Sequence, residues 1–81
     1  MYYTYVLYSE KYDRLYVGQT NDLVLRLQNH NEGRVKSTKH YIPWEIIYFE
    51  EFDTRSEAMI REKQLKTHDA KRIIRENYLS R

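Results

Sequence analysis

Two runs of aromatic and β-branched residues, separated by only four polar residues, begin the sequence and restrict the fold more than any other feature. Residues 2–9 (YYTYVLYS) and 14–19 (RLYVGQ) have the composition of β-strands. The connection between them, EKYD at 10–13, is short and favours an antiparallel hairpin. The chain has 81 residues and no cysteine, so we expect a single domain over 1–81 that is stabilised by packing alone.

The remainder of the chain predicts three helices and a third strand. The third strand has apolar residues on both faces, so it needs cover on both sides. The elements are a helix from the N-cap pair Thr20-Asn21 to Gly33, a basic loop at 34–42, a strand at 44–52, a helix from the capping box Thr54-x-x-Glu57 to about Lys66, and a last helix at about 69–79. The order ββαβαα predicts an α+β fold, an α/β sandwich in which helices flank a three-stranded antiparallel sheet.

Composition excludes several classes of protein. Charged residues of both signs make up 32% of the chain beside 41% apolar residues, which argues against disorder. No apolar run approaches the roughly 18 residues of a membrane span, and the amino terminus does not resemble a signal peptide, so we expect no membrane partner and a cytoplasmic location. The net charge of +2 is too small to indicate nucleic-acid binding, but residues 61–81 alone carry +4.

The predicted hairpin brings several tyrosines to one face. If the four turn residues are unpaired, Tyr5 faces Gly18 and Leu7 faces Tyr16, and Tyr3 shares their face. Glycine weakens a strand, so Gly18 indicates a place where a ring or a ligand comes close to the backbone. The alternative is an aromatic ladder that serves only to cover the sheet.

The first predicted helix carries a polar stripe. Asp22, Arg26 and His30 recur every four residues and so lie on one side of the helix. An arginine and a histidine one turn apart supply a fixed cation for phosphate and a group that titrates near neutral pH. The same stripe is also typical of the solvated face of any amphipathic helix.

Glu62 is the third candidate, because it falls inside the apolar arc of the capped helix. A carboxylate there is costly unless it is paired, hydrogen-bonded or bound to a metal ion. Arg61 and Lys63 lie too far round the helix to be obvious partners. With no cysteine and few histidines in the chain, a lone carboxylate favours a hard ion such as Mg²⁺ or Mn²⁺. A buried salt bridge is the alternative.

Taken together, these residues resemble the motifs of the GIY-YIG nuclease domain. The matching residues are Tyr3-Thr4-Tyr5, Tyr16-Val17-Gly18, Arg26, His30 and Glu62. The second tyrosine motif follows the first by eleven residues, counted from tyrosine to tyrosine. The stretches YVGQTNDL and HNEGRVKSTKHYIPWEIIYFEEF are similar to the small stand-alone bacterial and archaeal members of the family. The resemblance covers residues 2 to about 66.

The resemblance implies a divalent-metal-dependent endonuclease that hydrolyses phosphodiester bonds in DNA, with repair or recombination as its setting, and site residues that meet at one face of the sheet. Glu62 resembles the single carboxylate that binds Mg²⁺ or Mn²⁺, and Arg26 the arginine that stabilises charge on the scissile phosphate. Tyr5 and Tyr16 resemble the motif tyrosines, one of which helps to deprotonate the attacking water. His30 matches a base or positioning residue.

The chain also departs from the family pattern. Its first motif, Tyr3-Thr4-Tyr5, lacks the family's glycine and isoleucine. The downstream asparagine of the family has no secure match, because Asn77 lies in a divergent carboxy-terminal helix.

Two further hypotheses remain open. One is a non-catalytic nucleic-acid-binding module, based on basic residues and an aromatic side chain for stacking. The residues in question are Arg34, Lys36, Lys39, Trp44 and Lys66. The other is a purely structural or partner-docking domain, which would leave an inward-facing glutamate without a use.

Overall fold

A computed structural model describes residues 1–79, and Ser80 and Arg81 of the predicted domain lie outside the described residues. The elements are β1 (Tyr2–Ser9), β2 (Arg14–Thr20), α1 (Leu23–Asn31), a 3₁₀ turn (Lys39–Tyr41), β3 (Glu45–Phe52), α2 (Arg55–Leu65) and α3 (His68–Tyr78). The strands form one antiparallel sheet in the order β2-β1-β3. The predicted ββαβαα order and α+β class are therefore confirmed. None of the helices described is long and apolar enough to span a membrane.

The hairpin has the predicted register. Tyr5 pairs with Gly18, Leu7 with Tyr16, and Ser9 with Arg14. The turn between the strands contains Asp13 at a φ of 52°, a left-handed conformation that aspartate tolerates better than most residues. The antiparallel pairing therefore carries the side chains of Tyr5 and Tyr16 on the same face of the sheet.

Alternation along β1 sends side chains to two separate cores. One core lies between the sheet and the two carboxy-terminal helices and contains Val6, Val17, Leu65 and Ile74. The other lies between the sheet, α1 and the following loop, and contains Tyr5, Leu7 and Trp44 with Leu23 and Leu27 packed against them. The sheet is thus covered on both faces, as the apolar pattern of β3 requires.

The ends of the helices follow the capping rules, with one correction. Asp22, not Thr20-Asn21, is the N-cap of α1, and its carboxylate accepts a hydrogen bond from the backbone of Leu25. Thr20 instead accepts a hydrogen bond from the backbone of Asp22. The predicted capping box of α2 is present, because Thr54 and Glu57 each accept a hydrogen bond from the other's backbone N–H.

The basic loop after α1 is fastened to the second core by two side chains. Asn31 accepts a hydrogen bond from the backbone N–H of Trp44 (2.7 Å) and donates one to its carbonyl (3.0 Å). The indole of Trp44 is 5% exposed and donates from Nε1 to the carbonyl of Thr38. The prediction that Trp44 stacks on nucleic acid is therefore wrong, because its ring is already packed in the core.

We expect Asn31→Ala to lower the free energy of unfolding by about 2 kcal/mol, because it leaves two backbone groups of Trp44 without partners. Urea denaturation measures the change. Gln28→Ala is the matched control, since its amide bonds only the exposed Glu32 and its loss should cost at most about 0.5 kcal/mol. Equal losses in the two variants would show that Asn31 does not fasten the loop.

Candidate active site

The hydroxyl group of Tyr5 lies at the centre of the candidate site. Tyr5 is 1% exposed, and its Oη accepts a hydrogen bond from Nε of Arg26 (3.3 Å) and bonds Nε2 of His30 (2.9 Å). Gly18 makes room for this ring, because a Cβ atom at that position would lie 2.5 Å from Oη of Tyr5 and 3.1 Å from Cε2 of Tyr16. The close approach predicted at Gly18 is thus the approach of the Tyr5 ring.

The direction of the hydrogen bonds fixes the tautomer of His30. An arginine can only donate, so the Tyr5 hydroxyl oxygen accepts a hydrogen bond from Arg26, and we assign its own O–H as the donor to Nε2 of His30. The other ring nitrogen, Nδ1, lies 2.7 Å from Oγ1 of Thr38, which donates in turn to the carbonyl of Val35 (3.4 Å). This network assigns the proton of the neutral imidazole to Nδ1.

Burial sets the protonation states of these groups. It lowers the pKa of His30 to about 4, with the Arg26 cation as a second cause. It raises the pKa of Tyr5 to about 12, against the hydrogen bond and charge of Arg26, and Coulomb interactions with Tyr16 and Glu62 raise it further. The hydrogen bond to Tyr5 in turn raises the pKa of Arg26. At neutral pH the site therefore holds a protonated tyrosine, a neutral histidine and an arginine cation.

Tyr16 is the more accessible of the two motif tyrosines. It is only partly buried, whereas Tyr5 is enclosed. Its ring packs edge to face on His30, with centroids 5.0 Å apart, and lies 6.4 Å from the ring of Tyr5. Of these three rings, that of Tyr16 is the one in reach of water or substrate, since the His30 ring is completely buried with both nitrogens hydrogen-bonded.

Glu62 comes from the opposite layer of the fold, so the expectation that all site residues share one face of the sheet is wrong. Its neighbours on α2, Ala58 and Leu65, are buried on the face away from Tyr5. Its charge nevertheless acts on the pKa of Tyr5. The Glu62 carboxylate and the Tyr5 hydroxyl are therefore close enough for their charges to interact, although α2 and α1 cover different faces of the sheet.

The Glu62 carboxylate has a partner that the helical wheel did not single out. Lys66, one turn later, places Nζ 2.9 Å from Oε2 of Glu62, whose side chain is 20% exposed. Arg61 instead bonds Glu50 at 2.8 Å. Among residues 1–79, there is no group of three or more His, Cys, Asp or Glu side chains that could hold a metal ion. Glu62 is therefore a single-carboxylate candidate.

The other predicted residues are more dispersed. Tyr3 packs its ring edge to face on Phe49, with centroids 6.2 Å apart. Arg34 is paired with Glu32 at 2.8 Å, and Lys66 is paired with Glu62. Lys36 and Lys39 are exposed. Of the five predicted nucleic-acid contacts, one is thus buried, two are engaged in ion pairs and two are exposed lysines.

Thr38 is the positioning residue that sequence reasoning missed. It is 1% exposed, its Oγ1 accepts a hydrogen bond from Nδ1 of His30, and its carbonyl accepts one from the indole of Trp44. A threonine between two lysine-containing stretches of a basic loop has no periodicity that would indicate burial. Only the long-range packing of the loop against α1 makes its role visible.

Comparisons with known proteins show which family the chain resembles. The family model of the GIY-YIG catalytic domain matches residues 1–77. A UPF0213 protein from Haloquadratum walsbyi is 41% identical over 68 residues, covering 82% of this chain and 76% of that protein. A UPF0213 protein from Staphylococcus saprophyticus is 39% identical over 62 residues, covering 75% of this chain and 76% of that protein. The solution NMR structure of a UPF0213 protein from Bacillus halodurans is 27% identical, with a TM-score of 0.54 over 91% of this chain and 82% of that one.

We expect the neutral His30 to make the protein less stable in mild acid. The pKa of His30 is near 6.5 when unfolded and about 4 when folded, so the unfolded state binds more protons between these values. The contribution of His30 to the free energy of unfolding is fully present above pH 6.5, and it falls by about 2 kcal/mol from pH 7 to pH 5. Urea denaturation at the two pH values measures this loss.

His30→Gln should remove most of this pH dependence, because the titrating group is absent. His68→Gln is the control, since it removes an exposed imidazole and should keep the pH dependence of the natural protein. A His30→Gln protein that still loses about 2 kcal/mol between pH 7 and pH 5 would contradict the assigned role of His30.

Proposed function

Since the chain belongs to the GIY-YIG family, a family of nucleases, we propose that it is a divalent-metal-dependent endonuclease that hydrolyses phosphodiester bonds in DNA. The observation that carries this proposal is the hydrogen-bonded chain Arg26–Tyr5–His30 beside the accessible ring of Tyr16. A buried chain that fixes an arginine cation next to a tyrosine hydroxyl suits a reaction in which negative charge develops on a phosphate.

Glu62 fits the role of the metal ligand. Its carboxylate is partly accessible, and its one ion-pair partner is an exposed lysine that can move away. A site with a single protein oxygen suits Mg²⁺ or Mn²⁺, which bind through one or two carboxylates and keep water and substrate phosphate as their other ligands. Such an ion supplies a Lewis acid for the phosphate and lowers the pKa of bound water.

Arg26 is proposed to bind the scissile phosphate. Its Nε donates to Tyr5 and its side chain also interacts with Tyr16, and the guanidinium has further N–H groups for phosphate oxygens. The hydrogen bond to Tyr5 and the charge interactions around it raise the pKa of Arg26, so the guanidinium is a cation at neutral pH. Tyr5 thereby aims the guanidinium at a fixed position before substrate arrives.

The two tyrosines and His30 then have separate roles. Tyr16 is accessible, and we assign it to the attacking water. The pKa of Tyr5 is about 12, so its hydroxyl stays protonated and serves to hold Arg26 and His30. His30 is a positioning residue, because an imidazole with a pKa of about 4 and both nitrogens engaged does not take a proton from water at neutral pH.

A second candidate function is a nucleic-acid-binding module without catalysis. The ion pair between Glu62 and Lys66 favours it, because that pair satisfies the carboxylate without a metal ion. In this case the protein binds DNA and leaves it intact.

The test is incubation with branched, single-stranded and duplex DNA in Mg²⁺ or Mn²⁺. We expect cleavage, and we expect Glu62→Gln and Arg26→Lys each to lower its rate by at least about 100-fold, the cost of removing one group that stabilises the transition state. Glu76→Gln is the matched control, since Glu76 also pairs with a basic residue one turn away on a helix.

Three results are informative. Loss of cleavage in both site variants but not in Glu76→Gln supports the proposed endonuclease. Binding without cleavage in every buffer points to the second candidate. Cleavage that continues unchanged in Glu62→Gln or Arg26→Lys would contradict the assignment of the site.

A further inference from the structure

Arg14 extends the accessible face of the site along β2. It lies two residues before Tyr16, so the two side chains share one face of the strand, about 7 Å apart along it. Arg14 is exposed, and β2 is an edge of the sheet. An extended molecule that contacts Tyr16 and follows this edge therefore meets Arg14 next.

The guanidinium of Arg14 is held in place by an aromatic ring. Its Cζ lies 4.2 Å from the centre of the Tyr41 ring, which in turn packs edge to face against Tyr12. Stacking uses the flat face of a guanidinium and leaves its N–H groups free to donate in the plane, where they match the oxygens of a phosphate. Arg14 is thus ordered before any ligand binds.

Asp13, the neighbour of Arg14 in the chain, does not neutralise it. Asp13 accepts hydrogen bonds from Arg75 (2.7 Å) and from the Tyr8 hydroxyl (3.0 Å). No carboxylate among residues 1–79 forms an ion pair with Arg14. Of the basic residues predicted from sequence, by contrast, Arg34 and Lys66 are already paired.

A cleft continues from Arg14 to α3. It has a volume of about 340 Å³ and is surrounded by Tyr12, Asp13, Arg14, Leu15, Lys71 and Arg75. Asp13 is paired with Arg75, so Arg14 and Lys71 supply the net positive charge of the cleft. Tyr12 is 44% exposed, so its ring offers a surface on which a base can stack. Positive charge combined with an exposed tyrosine is the chemistry that binds a nucleic-acid strand rather than a protein or a small apolar ligand.

We propose that Arg14 binds the phosphate adjacent to the one held at Arg26, and that the strand continues over Tyr12 into the cleft beside Lys71. This inference rests on the proposed function, because it takes the strand at Tyr16 and Arg26 as its starting point. It assigns substrate contact to a surface made by the hairpin turn and α3, where Tyr41 of the basic loop contacts both Arg14 and Tyr12.

The first experiment measures binding without cleavage. A fluorescein-labelled 20-base-pair DNA duplex is titrated with protein in EDTA, and anisotropy gives the dissociation constant at several salt concentrations. We expect Arg14→Ala to weaken binding by about 10-fold and to reduce the slope of log K against log salt by about one. Arg72→Ala, which removes an equally exposed arginine from α3, is the control and should change binding by less than about 2-fold.

The second experiment locates the phosphate. Duplexes carry an uncharged methylphosphonate on one side or the other of the mapped cleavage position. One of the two should slow cleavage by the natural protein about 10-fold and cause no further slowing in Arg14→Ala, because both changes remove the same contact. Arg14→Lys should show an intermediate rate, since lysine keeps the charge but loses the stacked planar group.

Failure of this proposal is distinct from failure of the proposed function. Cleavage by the natural protein together with equal binding by Arg14→Ala and Arg72→Ala would overturn the role of Arg14 and leave the endonuclease proposal intact. The proposal would also be overturned if each of the two methylphosphonates slowed cleavage by Arg14→Ala as much as it slowed cleavage by the natural protein. Absence of all cleavage, with binding that still depends on Arg14, would support the contact and overturn the endonuclease proposal.

Discussion

The Tyr5 hydroxyl is the contact on which the candidate site depends. It accepts a hydrogen bond from Arg26 and donates one to His30, so one oxygen joins the central strand to two positions on α1. The contact exists because Gly18, directly across the hairpin, leaves the space that the ring fills. A tyrosine hydroxyl at this depth requires partners, and both are supplied from a single helix face. The sheet and α1 are thereby fixed relative to each other at the place where phosphate is expected.

Burial divides the candidate site into a supporting part and a reactive part. Tyr5, His30 and Thr38 are each at most 1% exposed, and their hydrogen bonds run in one direction from Arg26 to the carbonyl of Val35. They keep their protons in fixed positions, because burial moves the pKa of His30 down and that of Tyr5 up. Arg26 and Tyr16 present the accessible groups. This division explains how a chain of 81 residues positions several polar groups without a metal cluster or disulfide among the residues described.

Local patterns in the sequence account for most of the fold. The four-residue turn determined the pairing of Tyr5 with Gly18, and the Thr54-x-x-Glu57 pattern determined the start of α2. The features that the sequence did not predict concern long-range packing. The burial of Trp44, the contact between Thr38 and His30 and the position of Glu62 behind the sheet all depend on how distant segments meet. Side-chain periodicity describes one helix or strand at a time and carries no information about contacts between distant segments. A binding role for Arg14 was not predicted for the same reason, since its partner Tyr41 is 27 positions away.

The central claim is that Tyr5 donates to a neutral His30 that carries its proton on Nδ1. Long-range ¹H–¹⁵N correlation spectra of the imidazole at pH 7 test this directly, because protonated and unprotonated ring nitrogens have well-separated ¹⁵N shifts. The account predicts a protonated Nδ1 and an unprotonated Nε2. A proton on Nε2, on both nitrogens, or in exchange between them would contradict it.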